Sequence, residues 1–220
     1  MLTLALVAAL AVAQPSTLGQ DVDAVVDRAI AVWSRVQTLR ATFEQTLVNP
    51  ITGSSMVAKG TLQQRKPDRL AIAFTEPSGD RIVADGKQVW VYLQSATPGQ
   101  VIRLSNAAAG AANTDLIGQF LDAPRAKYDI VDAGWDRLGD RATRAVVLTA
   151  KPGQPLPFIR AKVWIDSSEA LIRQFESTDA SGITRKVRLL TLTPNAAVDS
   201  AAFVFRVPAG VRVVEPSGLR

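Results

Sequence analysis

Between residues 40 and 207 the chain is a succession of short segments that alternate apolar and polar residues, and that rhythm admits few folds. Such segments read as half-buried strands at Thr42–Val48, Met56–Gln64, Leu70–Phe74, Arg81–Ala84, Gln88–Leu93 and Val101–Leu104. They resume at Lys127–Asp132, Ala142–Ala150, Ile159–Asp166, Leu171–Thr178, Thr184–Leu192 and Phe203–Val207. Turn signals separate them: Asn49-Pro50-Ile51-Thr52-Gly53, Glu76-Pro77-Ser78-Gly79-Asp80, Asp85-Gly86 and Asp179-Ala180-Ser181-Gly182. Strands about ten residues apart, joined by tight turns, argue one antiparallel sheet that curls toward a barrel. Two segments break the rhythm. Val22, Val25, Val26, Ala29, Ile30, Trp33 and Val36 fall at helical spacing and predict a helix over Asp21–Leu39, with Thr17 or Asp21 as its cap. Leu116, Ile117, Phe120 and Leu121 predict a short helix over Thr114–Leu121, capped by Asn113 or Thr114. Ser105–Asn113 before it is rich in Ala, Gly and Asn and reads as weakly structured. The class is therefore mainly β with some α, in one domain without repeat or linker.

The compartment is written at the start. Leu2 to Ala13 is an apolar run closed by Ala11-Val12-Ala13, the pattern of a secretory signal peptide cut after Ala13, although no Lys or Arg precedes it. The run is too short to span a bilayer as a helix. Residues 14–220 are then the mature, exported domain. With no cysteine it has neither disulfides nor a thiol for a lipid anchor, so an ordinary core must hold it. The net charge of +5 is scattered, with no Lys/Arg run beyond two residues, and reads first as a solubilising surface. No aromatic–basic motif points to nucleic acid.

Chemistry is sparse. The absence of His and Cys removes the commonest general base, the thiol nucleophile and the usual zinc ligands. No Walker A, G-x-S-x-G, S-x-x-K or G-x-G-x-x-G stretch occurs. Asp129, Asp132, Asp136 and Asp140 recur close together, but their spacing is that of a solvated turn region rather than a Ca²⁺ loop. The positive signal is the apolar surplus of two one-sided helices over a one-sided sheet. Plain helix-on-sheet packing accounts for it, and so does an apolar ligand cavity under a helical cover.

Four stretches carry a resemblance. Val36-Gln37-Thr38-Leu39-Arg40-Ala41-Thr42-Phe43-Glu44-Gln45, Gly60 to Leu70 (GTLQQRKPDRL), Ile82 to Tyr92 (IVADGKQVWVY) and Ala202 to Val211 (AFVFRVPAGV) resemble, in order and separation, the LolA family of periplasmic outer-membrane lipoprotein carriers. The resemblance covers nearly the whole mature chain. It implies an unclosed antiparallel β-barrel, a half-barrel covered by short helices that form a lid. It also implies a periplasmic, monomeric carrier without cofactor or covalent chemistry. Such a carrier takes acylated lipoproteins from an inner-membrane ABC transporter and gives them to an outer-membrane acceptor. The competing readings are a LolA-like binding or sensor module, a carrier of another lipid and, last, a hydrolase.

Candidate cavity walls are Phe43, Leu62, Leu70, Ile72, Phe74, Trp90, Tyr92, Trp164, Phe175 and Leu189, and a one-residue slip in register would exchange the set. The candidate lid is Leu116, Ile117, Phe120 and Leu121. The family often has Arg before the Pro of the turn after its second strand, where it latches the lid. Here Lys66 stands at that place with Arg65 beside it, so the latch is expected on one of these two. The segment Asn113 to Ile117 lacks the family's usual Pro.

Overall fold

The computed structural model describes residues 17–105 and 114–215, which leaves the leader, the rest of the Ala/Gly/Asn-rich stretch after Ser105 and the last residues outside the description. The chain opens with helix α1 (Thr17–Ser34) and continues into β1 (Thr38–Val48), β2 (Ser55–Arg65), β3 (Arg69–Glu76), β4 (Ser78–Asp85), β5 (Gln88–Tyr92) and β6 (Gln100–Ser105). After a single-turn 3-10 helix (Gly118–Phe120) and the one-turn helix α2 (Pro124–Lys127) come β7 (Tyr128–Leu138), β8 (Arg141–Ala150), β9 (Arg160–Asp166), β10 (Ile172–Thr178) and β11 (Thr184–Pro194). A 3-10 turn (Ser200–Phe203) and the short β12 (Arg212–Val214) end it. All twelve strands form one sheet, in the order β12-β6-β5-β4-β3-β2-β1-β11-β10-β9-β8-β7. Every pairing is antiparallel except β12 against β6. The ends of the order, β12 and β7, do not pair, so the barrel is unclosed, as the resemblance implies.

Local chemistry makes the turns. Asn49 Oδ1 accepts from Ile51 N (2.9 Å) and Thr52 N (3.3 Å) in the β1–β2 connection. Asp179 Oδ1 does the same for Ser181 N and Ile183 N between β10 and β11. Strong bending is set by bulges, one of them where β2 meets β3 at Lys59/Gly60. There the backbones close on a side chain: a Cβ on Gly60 would lie 2.5 Å from the carbonyl oxygen of Ala73 and 3.0 Å from the Phe43 ring. Gly60→Ala is expected to cost about 1–3 kcal/mol through overpacking. An unchanged urea midpoint would mean that the strands do not approach this closely.

Four expectations are corrected. The first helix stops at Ser34, not Leu39. Val36 and Leu39 are buried, but Gln37 N donates to Asn195 Oδ1 (2.8 Å) and Thr38 already pairs with Arg65, so pairing with β2 and β11 overrides the helical spacing. Thr114–Leu121 forms only a turn and the 3-10 helix Gly118–Phe120. Asp115 folds over Gly118, accepting its N–H at 2.7 Å, and Pro124 then starts α2. Phe203–Val207 is not a strand; Phe205 is held by its ring on Trp90 (5.4 Å), and the terminal strand lies further on. The acidic region is not a turn. Asp129, Asp132 and Asp136 belong to β7, which bulges at Gly134, and Asp140 lies in the hairpin turn.

Helix α1 lies on the concave side of the sheet. Val22, Val26, Ala29 and Trp33 form its buried stripe, inside the same core as Val146, Leu148 and Ile165 of β8 and β9. Arg28 donates to the carbonyl oxygens of Ser167 and Ser168, and Arg125 bridges Asp23 and Asp27. These contacts fix α1 across one half of the trough and leave the other half to the 114–121 segment.

Candidate functional site

The period-two register places Phe43 of β1, Leu62 of β2, Leu70, Ile72 and Phe74 of β3, Phe175 of β10 and Leu189 of β11 on the concave face. Ile82 of β4 and Val89 and Val91 of β5 continue that face. Toward α1 the face is packed, and Leu62 and Leu189 are buried in the core and line neither hollow. Away from α1 it is hollow. One cavity of about 320 Å³ lies among Leu70, Val89, Val91, Leu104, Phe158 and Phe175. A second of about 220 Å³ lies among Phe43, Met56, Ala58, Phe74 and Leu93. The two share Leu47, Ile72, Ile82, Leu116 and Arg185 as walls, so they are compartments of one trough, with Leu116 and Arg185 on both.

The 114–121 segment packs against the trough, with Leu116 on the wall of both compartments. Ile117 and Phe120 are fully buried and Leu121 nearly so, while Leu116 is half-buried over the hollow. Phe120 lies 5.0 Å from the Phe175 ring and 5.4 Å from Phe158. Phe158 is backed by Tyr128, stacked at 5.6 Å, whose hydroxyl donates to the carbonyl oxygen of Gln119 (2.9 Å). Burial pushes the Tyr128 phenol up to about 12, so this donor keeps its proton. Of the four lid candidates, Leu116 lines both compartments, whereas Ile117, Phe120 and Leu121 are buried in the core beside them, and the segment forms no α-helix.

Lys66 and Arg65 point to different parts of the chain. Lys66 Nζ donates to the carbonyl oxygen of Trp33 (2.9 Å) at the end of α1 and lies 4.7 Å from the centre of the Trp33 ring. Trp33 Nε1 in turn donates to Asp115 Oδ2 (3.4 Å) at the start of the cover. Burial lowers the Lys66 ammonium from its ordinary value, and the Asp115 charge opposes that. Arg65 turns to the opposite side. It donates to Ser200 Oγ (3.1 Å) and the carbonyl oxygen of Val198 (3.0 Å), and lies over Phe203.

Trp90, Tyr92 and Trp164 are not in the trough. Trp90 and Tyr92 alternate with Val89 and Val91, so they face the convex side, where Phe205 covers both. A hollow of about 580 Å³ on that side lies between Ala73, Arg81, Tyr92 and the segment 201–208. Trp164 donates to Asp136 Oδ2 (2.8 Å) under the β7–β8 hairpin. Sequence reasoning misses Arg185, which stands on the face of Val187 and Leu189 at the trough mouth. The alternation Arg185-Val187-Leu189 is the signal that could have found it.

An unclosed sheet with a covered apolar trough is a fold, and comparison with known proteins gives it a family. The family model for the outer membrane lipoprotein carrier protein LolA matches residues 34–206. The chain belongs to the LolA family. Among LolA-type relatives, an outer-membrane lipoprotein carrier protein of Chromobacterium violaceum is 31% identical over 180 residues, covering 81% of each chain. Another, of Dechloromonas aromatica, is 27% identical over 197 residues, covering 86% of each. The LolA-family fold also resembles an uncharacterized conserved protein from Thermus thermophilus, with a TM-score of 0.54 at 14% identity over 90% of this chain and 100% of that one. It resembles MucB with a TM-score of 0.52 at 15% identity, over 89% of this chain and 66% of that one. Among the described residues no helix is long and apolar enough to cross a membrane.

Proposed function

We propose that this LolA-family chain is a periplasmic carrier that shelters the acyl chains of lipoproteins in its concave trough. It takes them from an inner-membrane ABC transporter and delivers them to an outer-membrane acceptor. The observation that carries the reading is the two-compartment apolar trough beneath a cover of side chains instead of a closed helix layer. The names of the relatives, outer-membrane lipoprotein carrier proteins, support the cargo class. The apolar run Leu2 to Ala13, outside the described residues, supports export.

The physics suits binding and release. An acyl chain in water costs about 0.8 kcal/mol per CH₂, so a lipid leaving a membrane needs apolar walls over its whole length. Cargo entering the trough displaces Leu116 and Phe120 and takes over their contacts with Ile72, Phe158 and Phe175. Contact is exchanged for contact, so the net affinity stays small enough for release. The Lys66–Trp33–Asp115 series acts as the latch that holds the cover on α1. Phe43, Leu70, Ile72, Phe74 and Phe175 are the walls; no covalent step is involved.

The test is native mass spectrometry of the mature protein with a triacylated lipoprotein and with the same protein lacking its acyl chains. A one-to-one complex with the acylated form alone is expected. Equal binding of both forms, or of neither, would end the lipoprotein reading.

A further inference from the structure

Arg185 is an anomaly in an apolar trough. It is the arginine of β11 on the concave face, followed on that face by Val187 and Leu189. It lines both compartments, beside Leu47, Ile72, Ile82 and Leu116. Solvent reaches it at the mouth, yet the surrounding apolar walls lower its guanidinium from the ordinary arginine value, with Asp179 opposing. Among the described residues no side chain is within ion-pair or hydrogen-bond range of that guanidinium. The neighbouring acids are engaged elsewhere. Asp179 Oδ1 accepts from Ser181 and Ile183 within its own turn, and Asp80 accepts from Ser95 N (3.0 Å) and Ser95 Oγ (2.5 Å).

An arginine that lines an apolar hollow, solvent-accessible and without a carboxylate partner, is placed to receive an oxyanion brought by a ligand through charge-assisted hydrogen bonds. Its place at the mouth, with apolar walls further in, fixes the orientation of such a ligand. We infer that Arg185 is a head-group anchor: the trough takes an acyl amphiphile tail-first and Arg185 holds a carboxylate or phosphate oxyanion at its mouth. This rests on the reading of the trough as an acyl-chain shelter and adds a preference that the apolar walls alone do not give.

Three probes of equal chain length separate the two ideas: 1-hexadecanol, palmitate and hexadecyl phosphate. Each is titrated, below its aggregation threshold, against Nile red bound to the mature protein. The wild-type protein is expected to bind the two anionic probes about tenfold more tightly than the alcohol, the scale of one charge-assisted hydrogen bond. Arg185→Gln should bring all three to the affinity of the alcohol, and Arg185→Lys should keep part of the preference. Arg188→Gln removes the same charge from an exposed position of the same strand and should change nothing. The readout is a ratio within one protein, so partial unfolding of a variant moves all probes together. A larger ratio for hexadecyl phosphate than for palmitate assigns a phosphate head, and the reverse a carboxylate. Equal binding of alcohol and anions by the wild type, or an unchanged ratio in Arg185→Gln, overturns the anchor while the shelter stands. Failure of all three probes overturns the shelter itself.

Discussion

Replacing Phe120 with alanine is expected to lower stability and raise affinity for acyl probes at the same time. Phe120 is buried between Phe158 and Phe175, at 5.4 Å and 5.0 Å, and its removal leaves a void in the packed rim of the trough. A Phe→Ala change at such a site costs about 3–5 kcal/mol, a fall of roughly 10 °C in melting temperature for a chain of this size. In an ordinary core the variant would also bind ligands less well. Under the proposed carrier reading the ring is displaced with the cover when cargo enters, so its loss removes part of the displacement cost. Hexadecanol titrated at a temperature where the variant stays folded should bind more tightly than to the wild type. Weaker binding would make Phe120 a core residue with no part in the cover.

Asp166→Ala should be almost as destabilising for an electrostatic reason. The carboxylate is buried at the end of β9, with Arg141 Nη1 at 2.8 Å and Arg173 Nε at 3.4 Å. Its Oδ1 accepts from Ser168 N (2.8 Å), Ser168 Oγ (2.7 Å) and Glu169 N (3.1 Å). Burial alone would raise its pKa, but these bonds and the Arg141 charge outweigh burial and hold the group far below the usual carboxylate range. Removing it strands the buried Arg173 with Glu169 as its remaining carboxylate, at a cost of about 3 kcal/mol. A pKa depressed by folding stabilises the native state above the unfolded carboxylate value and loses that contribution as pH falls. Wild-type melting temperature should therefore decline below about pH 4, where the unfolded aspartate takes up its proton. The decline should be shallower in Asp166→Ala. Asp85, Asp132, Asp136 and Asp179 are also held low, so some acid sensitivity stays in the variant. Parallel curves for the two proteins would show that Asp166 is not coupled to folding.

Most of the fold is legible in the sequence because the sheet is antiparallel and its hairpins are short, so alternation and turn chemistry mark each strand. The site is legible only in part. Alternation says that two faces differ, but here both carry apolar cover: the 114–121 segment on the concave side and the 201–208 segment on the convex side. Trp90 and Tyr92 are good strand aromatics on the second face, and nothing local distinguishes them from Phe74 on the first. Leu39 reads as helical because its burial by β1 pairing mimics helical spacing. Lys66 is singled out only by the family resemblance, and its partner is a backbone carbonyl of α1, which side-chain identity does not encode.

The seam between β1 and β11 carries a kinetic consequence. These two central strands join residues as far apart as Leu39 and Pro194, 155 positions along the chain. The strands β1 to β6 form one meander and β7 to β11 another, and among the described residues that seam is the only strand pairing that unites them. The loop-closure entropy of this late contact is met only once β11 has been made, which places the protein among slow-folding, high-contact-order chains. Until then one edge of β1 stays open, with Leu39, Ala41 and Phe43 unshielded, and a chain arrested before β11 presents an aggregation-prone half-sheet. Newly made protein is therefore expected to depend on holding factors for longer than its size suggests.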